Sequence, residues 1–338
     1  MKLRVGLVGL GDQWQTRHRP ALKALSDRFE VCAICCEVAQ KASQVAQEFQ
    51  ATPFDGFRAM LENSDIDAVL ALAPDWAGPL PILAACEAGK AVYSSAVLDI
   101  LPEQVDEIRR RVDASGVAFM TELPRRHAPA TLRIKELIAT RLGRPLLLYC
   151  HERLATEQQV DPRRRSGYCP ITWRNLMEIV DWCCYLADRN PTSLFSVIHQ
   201  LQLPTRNSFY QMMSLEFAAT KPEELPVTAQ LSLGHYIPNK WPDALNYRRP
   251  SSVQLVCENG VAFADLPSTL VWFDEAGQHT ESLEQERPVG EQMLTLFHRA
   301  VTSLVRRTSD LNDAYRATAI VLAGNRSIAE GRRIELNF

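Results

Sequence analysis

The sequence predicts two domains: a doubly wound parallel α/β sheet in residues 1–123 and an α+β domain on an antiparallel sheet in residues 124–338. In the first part, nearly continuous apolar strands alternate with helices, a pattern typical of parallel sheets covered on both faces. From about Leu123 onward, strand-like segments follow one another with few helices between them, which indicates an antiparallel sheet. At 338 residues, the chain is long enough for a sizeable core in each domain.

Strands and helices alternate through the first domain. The predicted strands, in chain order, are LRVGLVGL, FEVCAICC, IDAVLALAP, KAVYSS and VAFMTEL. The predicted helices are RPALKALSD, QKASQVAQEF, AMLENSD, GPLPILAACEAG and PEQVDEIRRRVDASG. The fourth of these helices ends at Gly89, a residue type that often follows helix C-termini. Because helices separate each strand from the next, we expect the strands to run parallel.

The second domain begins with the helix PATLRIKELIATRLG and continues mainly as strands. The predicted strands are RPLLLYCHERL, TSLFSVIHQLQL, SFYQMMSLEFAA, VTAQLSLGHYI, SVQLVCENGVAFADL and LVWFDEAG. One helix, TWRNLMEIVDWCCYLAD, interrupts them early, and two helices, GEQMLTLFHRAVTSLVRR and DLNDAYRATAIVLAGNRSIAEG, follow them. Glu258, Asn259 and Gly260 supply a hairpin turn, which supports antiparallel pairing.

Composition and charge argue against several classes of partner and site. A net charge of −3 gives no electrostatic reason to expect binding to nucleic acid or to an anionic membrane. No apolar segment approaches membrane-spanning length and no secretory signal precedes the first strand, so we expect a cytoplasmic protein. Its nine cysteines fit a reducing compartment. Cys32 and Cys35 have C-x-x-C spacing, but on a strand such residues point to opposite faces, so we expect no metal site.

A glycine turn follows the first strand. Gly9 and Gly11, with Asp12 and Gln13, lie between that strand and a helix, where glycines permit a tight turn and close approach of the backbone to a pyrophosphate. The helix N-terminus behind them would favour the negative charge of the phosphates. Trp14, however, occupies the position of the third small residue. The turn therefore either binds a dinucleotide, with the Trp14 ring directed away from the phosphates, or has the same shape and binds none.

An acidic residue is expected at the end of the second strand, where it would bind the ribose hydroxyls of a dinucleotide. Glu37 follows that strand, one position later than usual. We therefore predict Glu37 as the ribose-binding residue.

Several segments, taken in order, resemble the Gfo/Idh/MocA family of NAD(P)-dependent oxidoreductases, whose members act on sugars and inositols. These segments are VGLVGLGDQWQTRHRPAL, IDAVLALAPDWAGPLPILAACEAGKAVYSS, PRRHAPATLRIKELIATRLGRPLLL, VQLVCENGVAFADL and NRSIAEGRRIEL. The resemblance implies a Rossmann domain and an open-faced antiparallel sheet domain, with the active site between them. It also implies NAD or NADP as cofactor, a small-molecule substrate, and a homodimer or homotetramer formed through the open sheet face.

The resemblance also assigns candidate site residues. Pro74 lies in the loop that the family places at the nicotinamide ribose. Ser94 and Ser95 stand where the family's signature strand ends in Glu-Lys-Pro, with the Lys beside the nicotinamide and the substrate. The domain junction and the segments expected to face the cleft contribute the candidate substrate residues Arg126, Tyr168, Trp173 and His235.

A second family motif has Asp, three residues and His on a helix, followed three residues later by another Asp. Aligned on Asp181, this chain has Arg174 and Glu178 at the first two of these positions. Spacing of i and i+4 puts Arg174 and Glu178 on one helix face. Glu178 could then act as a base, with Arg174 holding it or binding a substrate carboxylate. Alternatively, the two residues form only a salt bridge.

Oxidation of an alcohol requires a base that takes the hydroxyl proton. The family's Lys would serve, but Ser95 cannot do so without an activating partner. One hypothesis is therefore a divergent NAD(P)-binding oxidoreductase for a sugar, a polyol or a related small hydroxy compound, with Glu178 or water taking the proton. The alternative is a catalytically inactive family member that serves as a ligand-sensing or scaffold subunit. Dinucleotide binding discriminates between the two.

Overall fold

The computed structural model describes residues 1–63, 65–72, 78–95, 102–156, 171–203, 206–219, 224–303 and 309–338. Contacts divide the chain into two compact units. The N-terminal unit contains Met1–Pro124, Ser166–Arg174 and Arg287–Tyr315, and the sheet unit contains Arg125–Arg165, Asn175–Glu286 and Arg316–Phe338. The N-terminal unit thus includes two later segments of the chain, whereas the domain division at residues 123 and 124 stays a prediction.

The N-terminal unit is built on a six-stranded parallel sheet. Its strands are β1 (Leu3–Val8), β2 (Phe29–Cys35), β3 (Thr52–Phe54), β4 (Ala68–Ala71), β5 (Ala91–Ser94) and β6 (Phe119–Thr121). They lie in the order β3-β2-β1-β4-β5-β6, so the sheet extends outward in both directions from β1 and β4. This is the strand order of a Rossmann sheet, and it confirms the predicted fold class.

The sheet unit contains a nine-stranded sheet in the order β14-β13-β12-β11-β7-β10-β9-β8-β15. Its strands are β7 (Pro145–Thr156), β8 (Ser193–Leu203), β9 (Arg206–Phe217), β10 (Val227–Pro238), β11 (Val253–Cys257), β12 (Gly260–Asp265), β13 (Thr269–Asp274), β14 (Gly277–Ser282) and β15 (Ile334–Glu335). Strands β7 and β10 run parallel, and the other neighbours run antiparallel. The α+β class is confirmed, but the sheet is mixed and not purely antiparallel.

Helices connect and cover the two sheets. In chain order they are α1 (Arg19–Ala24), α2 (Ala39–Phe49), α3 (Phe57–Asn63), α4 (Leu80–Glu87), α5 (Pro102–Ser115), α6 (Pro129–Leu137), α7 (Ile171–Ala187), α8 (Pro242–Asn246), α9 (Val289–Thr302) and α10 (Ser309–Glu330). A π-helical turn, Trp14–His18, leads into α1. In the described ranges, no helix combines the length and the apolar character needed to cross a membrane.

The two faces of the mixed sheet differ in how they are covered. Helices lie on one face, where Gly324 of α10 is in close contact with Met213 of β9. On the other face, the strand register aligns Phe195, Met212 and Phe273, which are 37–38% exposed. This second face therefore presents apolar side chains that no described helix covers.

The core of the N-terminal unit is completed by helix α9. Its residues Met293, Leu294 and Phe297 are fully buried. The Phe297 ring meets the Tyr93 ring of β5 edge to face, with centroids 5.6 Å apart. The Tyr93 hydroxyl also donates to the Met293 sulfur at 3.8 Å, across 200 positions of the chain. The parallel sheet is therefore covered on this side by a helix from the far end of the sequence.

Candidate functional site

The glycine turn after β1 is held against the ends of two strands. Gly9 (φ 70°) and Gly11 (φ 61°) both have left-handed backbone conformations, which glycine adopts without strain. The Gly9 amide donates to the Cys35 carbonyl at the end of β2 (2.7 Å). A Cβ atom on Gly11 would lie 2.1 Å from the carbonyl oxygen of Leu72, just after β4. The turn lies where the strand order reverses, and neither glycine carries a side chain that would keep a ligand from its backbone.

Trp14 lies in the hydrophobic core beneath this turn. Its side chain is part of the buried cluster that includes Leu7 and Ile34, and only 3% of the residue is exposed. The indole ring packs against Phe49 at the end of α2, with centroids 6.0 Å apart. A large ring can stand at the third position of the turn because it is directed inward. Because the side chain is buried, the predicted contact of Trp14 with a dinucleotide could be made only by its backbone.

The polar residues predicted around the turn lie at the surface. Asp12 is exposed and Gln13 is half-buried, with its Oε1 accepting a hydrogen bond from Thr16 (3.2 Å). Glu37 is exposed two residues after the end of β2. These side chains are accessible to a ligand, and their predicted contacts with a dinucleotide stay predictions.

The two serines at the end of β5 differ in environment. Ser94 is the last residue of the strand and is fully buried. Ser95 is half-buried, and both its amide (3.0 Å) and its hydroxyl (3.3 Å) donate to the carbonyl of Ala71 at the end of β4. The Ser95 hydroxyl therefore links the ends of two strands, and among the described residues it forms no hydrogen bond with a basic side chain. Pro74, the other residue predicted at the nicotinamide ribose, lies outside the described residues.

A buried charged cluster, not predicted from the sequence, lies at the end of β6. Glu122 directly follows the strand and is 5% exposed. Its carboxylate forms an ion pair with Arg17 (2.5 Å) and a hydrogen bond with His18 Nε2 (3.2 Å). Burial by itself raises the pKa of Glu122, but the hydrogen bonds and charges of His18 and Arg17 outweigh it and hold the pKa at about 2. The cluster ties the π-helical turn to the sheet.

A second charged cluster, Arg125 with Glu152 and Glu178, lies in the sheet unit. Arg125 Nη2 donates to Glu152 Oε2 of β7 (2.7 Å), and Arg125 Nε lies 3.7 Å from Glu178 Oε2 of α7. The three side chains are only 15–18% exposed. Two carboxylates thus share one guanidinium, which itself lies over the ring of Trp182. The sequence pointed to Glu178 and, at the junction, to Arg125 as a substrate contact or a surface residue, but it did not indicate Glu152, which lies in no recognisable motif.

The pKa of Glu152 is raised by its surroundings. Burial is the largest cause, because it disfavours the charged carboxylate. Arg125 opposes this effect, the negative charge of Glu178 adds to it, and Arg249 opposes it.

Arg126, predicted to contact substrate, is held by Asp181. Arg126 Nε donates to Asp181 Oδ2 (2.7 Å), and Nη2 pairs with Oδ1. The two residues are 7% and 3% exposed. A guanidinium buried to this extent requires such a partner. Arg126 thus joins the chain after β6 to α7, and the structure gives it a structural role that the sequence did not indicate.

The remaining candidates are placed as follows. His235 of β10 is 5% exposed, its ring stacks on Phe209 at 5.0 Å, and its Nδ1 lies 3.3 Å from the Ala155 carbonyl. Arg174 is half-buried in the first turn of α7, and its predicted pairing with Glu178 stays a prediction. Tyr168 and the side chain of Trp173 lie outside what the structure describes. Across the described ranges, no group of three His, Cys, Asp or Glu residues is arranged to hold a metal ion.

The family of the N-terminal part follows from its sequence. Residues 3–124 match the model of the oxidoreductase family with an NAD-binding Rossmann fold. This is the Gfo/Idh/MocA family, and the match covers a little over a third of the chain. The family that the sequence motifs indicated is thereby confirmed.

Two curated proteins are similar to parts of the chain. Inositol 2-dehydrogenase 3 of Saccharopolyspora erythraea is 31% identical over 168 residues, or 46% of this chain and 46% of that protein. The dTDP-3,4-didehydro-2,6-dideoxy-alpha-D-glucose 3-reductase of Actinomadura kijaniata is 28% identical over 136 residues, or 40% of this chain and 41% of that protein. The matched region thus spans less than half the length of these curated relatives.

The fold extends over the whole chain. The crystal structure of aldose-aldose oxidoreductase from Caulobacter crescentus, complexed with glycerol, superposes with a TM-score of 0.81. The superposition covers 99% of this chain and 100% of that chain, at 14% sequence identity. At that identity the likeness concerns the architecture alone.

The two glycines of this turn differ in their surroundings, and that the turn binds a dinucleotide stays a prediction. The Gly11 position has no room for a Cβ atom on the side of β4 but is itself exposed, whereas Gly9 is buried. Trp14, the residue that departs from the usual pattern, is accommodated in the core. Ser95 at the end of β5 carries no basic side chain, and that it replaces a Lys of the family stays a prediction.

Proposed function

We propose that the protein is an NAD(P)-dependent oxidoreductase that acts on a polyol, a sugar or a related small hydroxy compound. The observation that carries this proposal is the glycine turn at the reversal of strand order, within residues that match an NAD-binding oxidoreductase family. One curated relative is an inositol dehydrogenase and another is a reductase of a nucleotide-linked sugar, which supports hydroxylated substrates of this class.

The chain's own residues would bind and orient the cofactor. The bound dinucleotide would supply the hydride acceptor. The Gly9 amide donates to Cys35, so the amides that follow it in the turn would donate to the pyrophosphate, and the Glu37 carboxylate would accept hydrogen bonds from the adenosine ribose. Because a 2′-phosphate beside Glu37 would be repelled, we propose NAD in preference to NADP.

Titration with dinucleotides tests the proposal. The purified protein is titrated with NADH and NADPH by fluorescence and with NAD⁺ and NADP⁺ by calorimetry. We expect saturable binding of NAD⁺ and NADH, and weaker binding of the phosphorylated pair. Absence of binding at millimolar dinucleotide would contradict the proposal. NADH formation is then followed with myo-inositol, D-glucose and sorbitol as substrates.

A catalytically inactive role is the second candidate, and one observation favours it. At the end of β5 the Ser95 hydroxyl donates to the Ala71 carbonyl, so the strand delivers no base where the family carries a Lys. In that case the chain would sense a ligand or serve as a scaffold subunit. Binding of NADH without turnover of any hydroxy compound in the panel would support this second function.

We also propose that the open face of the mixed sheet binds a second copy of the chain. Phe195 and Met212 are diagonal neighbours on that face and Phe273 lies on it five strands from Met212, and apolar side chains exposed on a sheet face favour association. Met212→Lys would place a charge in the interface, and we expect it to shift a dimer or tetramer towards the monomer. Size-exclusion chromatography with light scattering measures this. A wild-type monomer, or an unchanged oligomer in the variant, would contradict the proposed interface.

A further inference from the structure

The charged cluster at the end of β6 is linked to the glycine turn through hydrogen bonds. Glu122 forms its ion pair with Arg17 Nη1 (2.5 Å), and its two oxygens lie 3.2 and 3.3 Å from His18 Nε2. Arg17 and His18 are the last two residues of the π-helical turn that follows the glycines. All three residues belong to the N-terminal unit, and His18 and Glu122 are buried. The carboxylate therefore fixes the end of that turn from within the core.

The backbone of the π-helical turn carries this constraint back to the glycines. The amides of Arg17 (2.9 Å) and His18 (3.2 Å) both donate to the Gln13 carbonyl oxygen. The Trp14 amide belongs to the same planar peptide group as that carbonyl, and it donates to the Gly11 carbonyl oxygen (3.3 Å). Each peptide plane of the turn is thus fixed by the one that follows it.

The peptide group at the start of this series directs the Asp12 amide. In a trans peptide the C=O and the N–H point in opposite directions. Because the Gly11 carbonyl faces the Trp14 amide, the Asp12 amide faces away from the helical turn. Among the described residues the Asp12 amide donates no hydrogen bond, and both Gly11 and Asp12 are exposed. This amide is therefore oriented by the protein and accessible to a ligand.

From this series of contacts we infer that Glu122 is a positioning residue for the pyrophosphate of the dinucleotide. This inference rests on the proposed function. Glu122 holds the side chains of Arg17 and His18, and their amides hold the Gln13 carbonyl. The Asp12 amide is thereby kept in the direction in which it donates to a phosphate oxygen. Glu122 acts through these residues and does not itself contact the ligand.

A turn that is fixed before the ligand arrives binds more tightly than a mobile one. A donor that is already oriented loses little conformational freedom on binding, so more of the interaction contributes to affinity. The charge of Glu122 is constant under binding conditions. Burial raises its pKa, but the hydrogen bonds and charges of His18 and Arg17 hold the pKa at about 2, so the carboxylate is ionised at neutral pH.

The test compares the binding of ADP with that of adenosine, measured by NMR titration. ADP carries the pyrophosphate and adenosine lacks it, and neither has the nicotinamide end of the dinucleotide. We expect Glu122→Gln to weaken ADP binding at least about 10-fold, as when a hydrogen bond to a charged group is lost, and to leave adenosine binding unchanged. The matched control is Glu258→Gln, which should change neither. Glu258 is an exposed glutamate in the turn before β12, and it pairs with Arg144 (2.9 Å).

His18 provides a second pair of variants, because Glu122→Gln also removes stabilising free energy from the fold. His18→Leu removes the donor to Glu122, whereas His18→Gln keeps an N–H group on the side chain. We expect His18→Leu to weaken ADP binding more than His18→Gln does, with equal adenosine binding in the two variants. Titrations are made at a temperature at which far-UV circular dichroism shows each variant to be folded.

The outcomes distinguish this inference from the function on which it rests. A wild type that binds neither NADH nor ADP overturns the proposed function and the positioning role together. A wild type that binds both, while Glu122→Gln and His18→Leu bind ADP as tightly, overturns the positioning role alone, and the burial of Trp14 then suffices to hold the turn. Equal losses of ADP and adenosine binding make Glu122 merely structural and also overturn it.

Discussion

At the scale of single residues, Glu122 shows how a buried charge is stabilised. The carboxylate is 5% exposed, yet Arg17 and His18 hold its pKa at about 2. These partners come from the turn that follows the glycines, so the charge also fixes the start of α1. Removing the charge leaves two buried partners without their acceptor, which costs more free energy than an exposed pair does.

We expect Glu122→Gln to lower the free energy of unfolding by about 3–5 kcal/mol at pH 7, the range for a broken buried ion pair. The folded-state pKa is lower than in the unfolded chain, so this stabilisation is present above about pH 4.3 and is lost as the pH falls towards 2. Urea denaturation at pH 7 and pH 3 measures both. A variant as stable as wild type at pH 7 would contradict the role of the cluster, and Glu258→Gln is the exposed control.

The sequence could indicate the role of a residue only where the residues that decide this role lie near it in the chain. The sequence pointed to Ser95 because the end of a strand can be read directly, and that its hydroxyl has no activating partner stays a prediction. It missed Glu122, whose partners Arg17 and His18 lie more than a hundred positions away in the chain. It also missed Glu152, which looks like any polar residue of a sheet strand until Arg125 is placed beside it.

At the scale of elements, the turn after β1 depends on the absence of a side chain at Gly11. The residue has φ 61°, and a Cβ atom there would meet the Leu72 carbonyl oxygen at 2.1 Å. We expect Gly11→Ala to destabilise the fold by about 1–3 kcal/mol through backbone strain, and to weaken NADH binding. Thermal unfolding and a dinucleotide titration measure the two effects.

Gly56 before α3 offers the matched control for this substitution. A Cβ atom at Gly56 would meet nothing within 4 Å, so Gly56→Ala should change stability by less than about 1 kcal/mol. If Gly11→Ala behaved like Gly56→Ala, the close approach of the turn to β4 would have no energetic consequence.

The pairing of strands was predictable in one sheet and not in the other. Helices between successive strands of the N-terminal unit indicated a parallel sheet, and every neighbouring pair there is parallel. In the sheet unit, alternating strands indicated antiparallel neighbours, but β10 lies parallel to β7. The connection between β7 and β8 contains helix α7, which allows β8 to run in the same direction as β7. Strands β8, β9 and β10 then alternate in direction, so β10 also runs parallel to β7. A local pattern does not reveal which distant strand these strands will join.

At the scale of the whole molecule, the N-terminal unit is not one continuous stretch of sequence. Helix α9 supplies Met293, Leu294 and Phe297 to its core. We expect Phe297→Ala to destabilise this unit by about 3–5 kcal/mol, the range for a fully buried Phe. Chemical denaturation followed by far-UV circular dichroism measures it. Arg299→Ala, at an exposed position of the same helix, should have little effect, and equal losses for both would contradict the packing of α9.

The placement of α9 has a consequence for how the protein is made. On the ribosome, residue 124 emerges long before residue 297, and the interval is 297 − 124 = 173 residues. At about 5–20 residues per second, the parallel sheet waits about 9–35 s for the helix that covers it. During that time the apolar surface around Tyr93 lacks its cover. The nascent chain therefore completes its first unit only after nearly all of its second has been synthesised.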